Sequence, residues 1–113
     1  MVALSPKNRL TESEKIGEVV RRGRRFTANG FKAYVKKSAY GTWRAAIVVP
    51  KRTDKRAAVR NKLKRRAGEI VKRLIPDSGK SADLVLYLEA ESAELSFKEL
   101  KRSLAELLSA AIG

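Results

Sequence analysis

The chain has 113 residues, 43% of them hydrophobic, and carries 26 Lys plus Arg against 12 Asp plus Glu, a formal net charge of +14. This suffices for one small folded domain with a modest core, and a field of that sign asks for an anionic partner, nucleic acid first and an anionic membrane surface second. The chain has no Cys and no His, which excludes disulfides, thiolate zinc sites, a Cys nucleophile and imidazole bases or ligands. The start, "MVALSPKNRL", lacks the apolar run of a signal peptide, and the longest apolar run, Ala45 to Pro50, is too short to span a bilayer. A soluble cytoplasmic protein is expected.

Residues 1–9 read as a short basic tail on a single domain covering 1–113. Thr11-x-x-Glu14 has the form of a capping box and opens a helix with an apolar stripe of Ile16, Val19 and Val20. Arg21 and Arg22 suit its C-terminal end, and Gly23 stops it. "RRFTANG" holds a short strand and an Asn29-Gly30 turn. "FKAYVKK" alternates, with Phe31, Ala33 and Val35 on one face and Lys32, Tyr34 and Lys36 on the other. Tyr40 to Thr42 is a turn. The strand from Trp43 to Pro50 is apolar on both faces, which predicts a central place in the sheet.

A basic segment follows. Pro76 to Asp83 is loop, and Leu84 to Glu89 is a further strand. Ser96-x-x-Glu99 is a second capping box, with Leu95 and Leu100 placed for a hydrophobic staple. Phe97, Leu100, Leu104, Leu107, Leu108 and Ala111 form the stripe of a closing helix. The order α-β-β-β-α-β-α predicts a single two-layer α+β sandwich with helices on a small sheet.

The basic segment carries the function. "AAVRNKLKRRAGEIVKRL", Ala57 to Leu74, has seven Lys or Arg and one Glu. At about 100° per residue, Val59, Leu63, Ala67, Ile70 and Leu74 fall on one side. Arg60 and Lys64 flank that stripe on one edge, and Lys62, Arg66 and Arg73 on the other. Asn61, Arg65, Gly68 and Lys72 lie opposite. Like charges one turn apart, such as Arg60 and Lys64, cost a few tenths of a kcal/mol, roughly, and a polyphosphate ligand would offset this. Lys51, Arg52, Lys55 and Arg56 extend the patch, so that nine of the sixteen residues from Lys51 to Arg66 are basic against one Asp. The bland reading is a solvated face; the near absence of acids favours a phosphate-binding wall. Gly68 costs about 0.8–1.0 kcal/mol relative to Ala in a helix. It reads either as a point of close RNA approach or as drift at a solvent position.

Tyr34, between Lys32 and Lys36, reads either as a stacking platform for a single-stranded base or as a half-buried sheet tyrosine. Phe31 and Trp43 read as core. No paired carboxylates, Gly-rich phosphate loop or nucleophile elbow appear. If an enzyme is involved, this chain supplies binding and another component the chemistry.

"AAVRNKLKRR" resembles the signature of the bacterial ribonuclease P protein subunit, an Ala-Val-x-Arg-Asn-Arg-x-x-Lys-Arg run on a helix. Arg60-Asn61-Lys62 stands for its Arg-Asn-Arg, and Lys64-Arg65 matches the Lys-Arg. "NRLTESEKIGEVVRRGRRF", "VVPKR", "ADLVLYL" and "LSFKELKRSLAELL" extend the likeness over nearly all the chain after residue 8.

The resemblance implies a large catalytic RNA that uses Mg2+ to hydrolyse precursor tRNA and free the mature 5′ end. On this family's pattern the protein binds that RNA through Lys51, Arg52, Arg56, Arg60, Asn61, Lys62, Lys64, Arg65 and Arg66. It binds the substrate's 5′ leader in a cleft between helix and sheet, through Ile16, Val20, Phe31, Lys32, Tyr34 and Lys36. The implied partners are ribonuclease P RNA and precursor tRNA, with neither DNA nor membrane, and Mg2+ is held mainly by the RNA. The implied fold has ribosomal-protein-domain-like topology, with a left-handed βαβ crossover through the basic helix. Several positions depart from the family pattern. Ile16 and Val20 replace Phe, Gly68 replaces a basic residue and Glu89 an Arg. The loop Thr53 to Arg56 lacks the family's Gly. A ribosomal-type RNA-binding protein and a protein-only nuclease are the rival readings.

Overall fold

The computed structural model describes residues 8–38, 42–74 and 81–112. Tyr40 and Gly41 of the expected turn, most of the Pro76–Asp83 loop and residues 1–7 of the expected tail lie outside them. Along the chain run α1 (Ser13–Arg22), β1 (Arg24–Ala28), β2 (Phe31–Lys37), β3 (Arg44–Val48), α2 (Ala57–Leu74), β4 (Ala82–Leu88), a 3-10 turn (Ala90–Glu94) and α3 (Phe97–Ile112). This is the α+β order expected.

The hairpin β1–β2 closes through Asn29 and Gly30, with Ala28 opposite Phe31. Among the described residues only Gly30 has a positive φ, 85°. A Cβ there would also lie 3.0 Å from the Ser92 backbone nitrogen, so this position needs glycine on both counts. The turn is also held from the end of the neighbouring strand β4, where the Glu89 N–H donates to the Gly30 carbonyl at 2.8 Å.

The strands lie in the order β1-β2-β4-β3. β1, β2 and β4 pair antiparallel, and β3 pairs parallel to β4. The expectation of a central β3 is therefore wrong: β3 is an edge, and β4, with its continuous apolar run, is interior. β3 is apolar on both faces because both faces are covered. Ala45 and Ile47 pack under α2 and α3, and Ala46 packs with Leu10 and Val19 on the other side. Its outer edge is capped by residues just ahead of α1. The Leu10 N–H donates to the Ala45 carbonyl at 2.9 Å, and Asn8 Nδ2 donates to the Trp43 carbonyl at 2.8 Å. Asn8 and Arg9, expected in the tail, thus belong to the fold; Asn8 is buried. Such a strap blunts an edge that would otherwise invite pairing with another chain.

The Ala45 side chain faces α2 while its carbonyl points outward to Leu10. For an L-residue in a strand this sets the hand: seen from α2 with β3 running upward, β4 lies to the left. The β3-α2-β4 crossover is left-handed, against the usual right-handed rule, as the resemblance implied.

Two helix ends differ from the expected chemistry. The Thr11 capping box does not form: Glu12 is the N-cap of α1 and makes no side-chain cap bond. Gly23 ends α1 in extended backbone, not a left-handed one. Its glycine is required by closeness, since a Cβ would meet the Val19 carbonyl oxygen at 2.4 Å and that of Val35 at 2.9 Å. The second box is formed. Ser96 N–H donates to Glu99 Oε1 at 3.0 Å, and Glu99 N–H to Ser96 Oγ at 3.2 Å. The Ser96 N–H first, and the Ser96 side chain second, hold the Glu99 carboxyl below its ordinary pKa.

Candidate nucleic-acid interface

α2 docks by a face rotated from the one its apolar residues suggest. Leu63, Ala67, Gly68, Ile70 and Val71 are buried, while Val59 and Leu74 are only half-buried. Gly68, expected on the solvent side, lies against β3: a Cβ there would sit 3.5 Å from Ile47 Cδ1. Ala67, Gly68 and Val71 let the helix approach the sheet on a side where the apolar count alone shows little. RNA cannot approach the helix at Gly68, because β3 is already there.

What α2 exposes is the opposite side. Asn61, Lys62, Lys64 and Arg65 are exposed, as is Lys51 in the preceding loop. None of these five makes a hydrogen bond or ion pair with another described residue. Four other expected RNA contacts have protein partners. Arg56 Nε and Nη2 donate to the Asp54 carboxylate at 3.0 and 2.9 Å. Arg60 Nη1 donates to the Asp54 carbonyl at 2.9 Å. Arg52 Nε and Nη2 face the Glu89 carboxylate at 3.4 Å. The Arg66 guanidinium lies 5.7 Å from the centroid of Phe97. The patch is thus a free stretch, Asn61 to Arg65, beside a set of cations held in place.

Asp54 organises the entry to that helix. Its Oδ1 accepts the Arg56 N–H at 2.9 Å, an Asx turn two residues long. The Arg56 side-chain bond first, and its N–H second, lower the Asp54 pKa to about 2. The buried Thr53 anchors the same loop, its hydroxyl donating to the Leu88 carbonyl at the end of β4. Nothing in the local sequence marks Thr53; its role depends on β4 ending beside this loop.

The second face of the sheet carries the aromatic feature. Tyr34 and Tyr87 meet edge to face, with centroids 6.0 Å apart and planes at 82°. Both are half-buried, and with Ile16, Val20 and Val48 they ring the cluster formed by Leu10, Val19, Ala46 and Val85. The fold therefore brings Ile16, Val20 and Tyr34 together, as expected of a leader cleft between helix and sheet. Tyr87 is the residue sequence reasoning missed. The alternation of β4 puts it on the face of Val85, but only the antiparallel register, which sets it opposite Lys32, brings it to Tyr34.

Lys32 and Lys36 flank this cluster. Lys36 Nζ lies 3.7 Å from Glu18 of α1, and Lys32 Nζ 3.7 Å from Glu89. Phe31 does not belong to the cleft. It is 1% exposed and packs in the core on the opposite face, because odd and even residues of a strand point apart. Glu89 lies between the two candidate surfaces, facing Lys32 on one side and Arg52 on the other.

Among the described residues no three acidic side chains converge on a point that could hold a metal, and no helix is long and apolar enough to cross a membrane. The geometry defines a class: a small basic α+β domain that exposes a row of cations along one helix and carries an aromatic cluster on the far side of its sheet.

The chain belongs to the Ribonuclease P family, whose model matches residues 4–112. It is similar in structure to the RNase P protein from Thermotoga maritima, with 27% identity, 93% of this chain and 98% of that one covered, and a TM-score of 0.80. It is also similar to the Staphylococcus aureus RNase P protein, with 20% identity, 93% and 95% covered, and a TM-score of 0.84. A Staphylococcus aureus RNase P protein mutant with defective mRNA degradation activity gives 21% identity, 92% and 87% covered, and the same TM-score of 0.84. The comparison with curated proteins finds no match. Family and fold make the chain a protein subunit of ribonuclease P, part of a ribonucleoprotein tRNA-processing endoribonuclease.

Proposed function

We propose that this subunit binds the ribonuclease P RNA along α2 and holds the single-stranded 5′ leader of precursor tRNA in the cleft around Tyr34 and Tyr87. It thereby favours precursor over mature tRNA and assists endonucleolytic removal of the leader in the cytoplasm. One observation carries the first part: α2 buries Leu63, Ala67, Ile70 and Val71 while leaving Asn61, Lys62, Lys64 and Arg65 exposed. Four neighbouring polar side chains, three of them cationic, without partners among the described residues suit phosphates, whose neutralisation releases counterions. The cleft supports the second part, since stacking on aromatic rings is sequence-tolerant and suits a leader of varied bases.

The hydrolytic groups and the Mg2+ belong to the RNA in this proposal. Bound there, Mg2+ supplies an activated water and stabilises the leaving oxygen. This chain's residues reduce phosphate repulsion and position the leader.

The test is reconstitution. The protein is added to ribonuclease P RNA at low Mg2+, and cleavage of a 5′-extended tRNA is measured. Stimulation by the protein, with no cleavage by the protein alone, is expected. No stimulation, together with tight binding to ribosomal RNA, would assign the chain to a ribosomal-type role. Cleavage by RNA-free protein would overturn the division of labour.

A further inference from the structure

Among the described residues Phe97 is the one large hydrophobic side chain left exposed, at 39%. Its place on α3 does not account for this. At about 100° per residue it shares an arc with Leu100, Leu104 and Leu108, all of them buried. It points the way the helix docks, but it sits at the first residue of α3. There the Arg66 guanidinium of α2 lies 5.7 Å from the ring centroid. The backbone of the turn that carries the ring is held by the Ser96–Glu99 capping box. One turn further along α3 on the same side is Lys101, exposed. One turn before Arg66 on α2 is Lys62, exposed and without a protein partner among the described residues.

A phenyl ring among three cations is poorly suited to an apolar protein surface, which would have to desolvate all three. An unpaired nucleotide suits every group present. Its base can stack on the ring or on the planar guanidinium, and its flanking phosphates can meet Lys62, Lys101 and the edge of Arg66.

We infer that Phe97 and Arg66 form a stacking site for an unpaired nucleotide of the RNA bound along α2. This site is separate from the Tyr34–Tyr87 cleft, because α2 and α3 cover the opposite face of the sheet from those tyrosines. The inference rests on the reading that α2 binds RNA, and the experiment separates the two.

Binding of a bacterial ribonuclease P RNA transcript is measured by fluorescence anisotropy over a range of salt. The proteins compared are the unmodified chain, Phe97→Leu, Phe97→Ala, Phe97→Trp and Lys64→Ala. Phe97→Leu keeps the apolar bulk and removes the π face. Melting followed by circular dichroism establishes that it is folded.

A roughly tenfold loss of affinity is expected for Phe97→Leu and Phe97→Ala, with an unchanged slope of log K against log salt. Phe97→Trp is expected to bind at least as tightly as the unmodified chain. Lys64→Ala is expected to reduce the slope by about one. Phe97→Leu and Phe97→Ala binding like the unmodified chain overturns the stacking site alone and leaves the patch to a protein partner. An unmodified chain that does not bind the RNA, or a Lys64→Ala slope that does not change, overturns the reading of α2 and the stacking site with it.

Discussion

Gly68→Ala separates two accounts of α2. If Gly68 were a point where RNA meets the helix, adding a methyl group would weaken RNA binding and leave stability slightly raised. The structure leads to a different expectation. The new Cβ would lie 3.5 Å from Ile47 Cδ1, an ordinary contact, with no other heavy atom of the surroundings within 4 Å. Helix propensity then favours Ala by about 0.8–1.0 kcal/mol. Burial of one methyl against Ile47 adds at most about 0.8 kcal/mol. A net stabilisation of about 1–1.5 kcal/mol follows. For a domain near this size each kcal/mol raises the melting temperature by about 4–8 °C. The assay pairs thermal and urea melting with RNA affinity, which is expected to stay within experimental scatter of the unmodified chain. A lowered melting temperature would show that β3 and α2 are packed too tightly there for a methyl. A weakened RNA affinity with intact folding would return Gly68 to the RNA-facing surface. Gly68→Arg, which restores a basic side chain, should instead overpack the same contact and destabilise by roughly 1–3 kcal/mol.

Three further outcomes are expected. Tyr34→Ala and Tyr87→Ala should each weaken binding of leader-bearing precursor tRNA by about 5- to 100-fold and that of mature tRNA much less; equal losses for both substrates would count against the cleft. Asp54, with its pKa lowered from 3.8 to about 2 by Arg56, should titrate with a midpoint near 2 when its carboxyl carbon is followed by NMR. Because the folded value is depressed, the stabilisation it contributes is fully present above pH 4 or so and is lost as pH falls through about 2; a midpoint near 4 would show that the Asx turn does not hold in solution. Asp83→Ala removes the carboxylate that accepts Arg44 Nε and Nη2 at 2.9 and 3.0 Å in a buried pair, and should cost about 3–5 kcal/mol in urea unfolding; a cost below 1 kcal/mol would mean that water reaches Arg44 freely.

Glu89 links the two candidate surfaces. Family resemblance expects an Arg there, yet this Glu faces Lys32 of the sheet and Arg52 of the loop. It neutralises part of the cation count that the sequence alone assigns to RNA. Arg56 and Arg60 are similarly engaged by Asp54. The nine basic residues from Lys51 to Arg66 therefore overstate the charge free to meet phosphate: Arg52, Arg56, Arg60 and Arg66 are engaged, and Lys51, Lys55, Lys62, Lys64 and Arg65 are left without a partner among the described residues.

The sequence by itself determined the local chemistry. Periodicity separated helices from strands, because each element's own repeat is written in consecutive residues. Asn29-Gly30 marked the hairpin, since the turn's positive φ falls on the glycine. Ser96 and Glu99 marked the start of α3, because a capping box is closed within four residues. The charge of α2 and the absence of Cys and His set the class of partner and excluded whole classes of chemistry. The tertiary structure decided whatever depends on a neighbour distant in the chain. The rotation of α2 was set by β3, to which a glycine at position 68 is an opening and not a gap in the apolar count. β3 is an edge because β4 inserts between it and β2, and Leu10 and Asn8, far off in the chain, cap the edge this leaves. Phe97 meets Arg66 only because the start of α3 packs beside α2. Tyr87 reached Tyr34 only through the β2–β4 register. Each is a long-range pairing, and no window of consecutive residues carries the position of its partner.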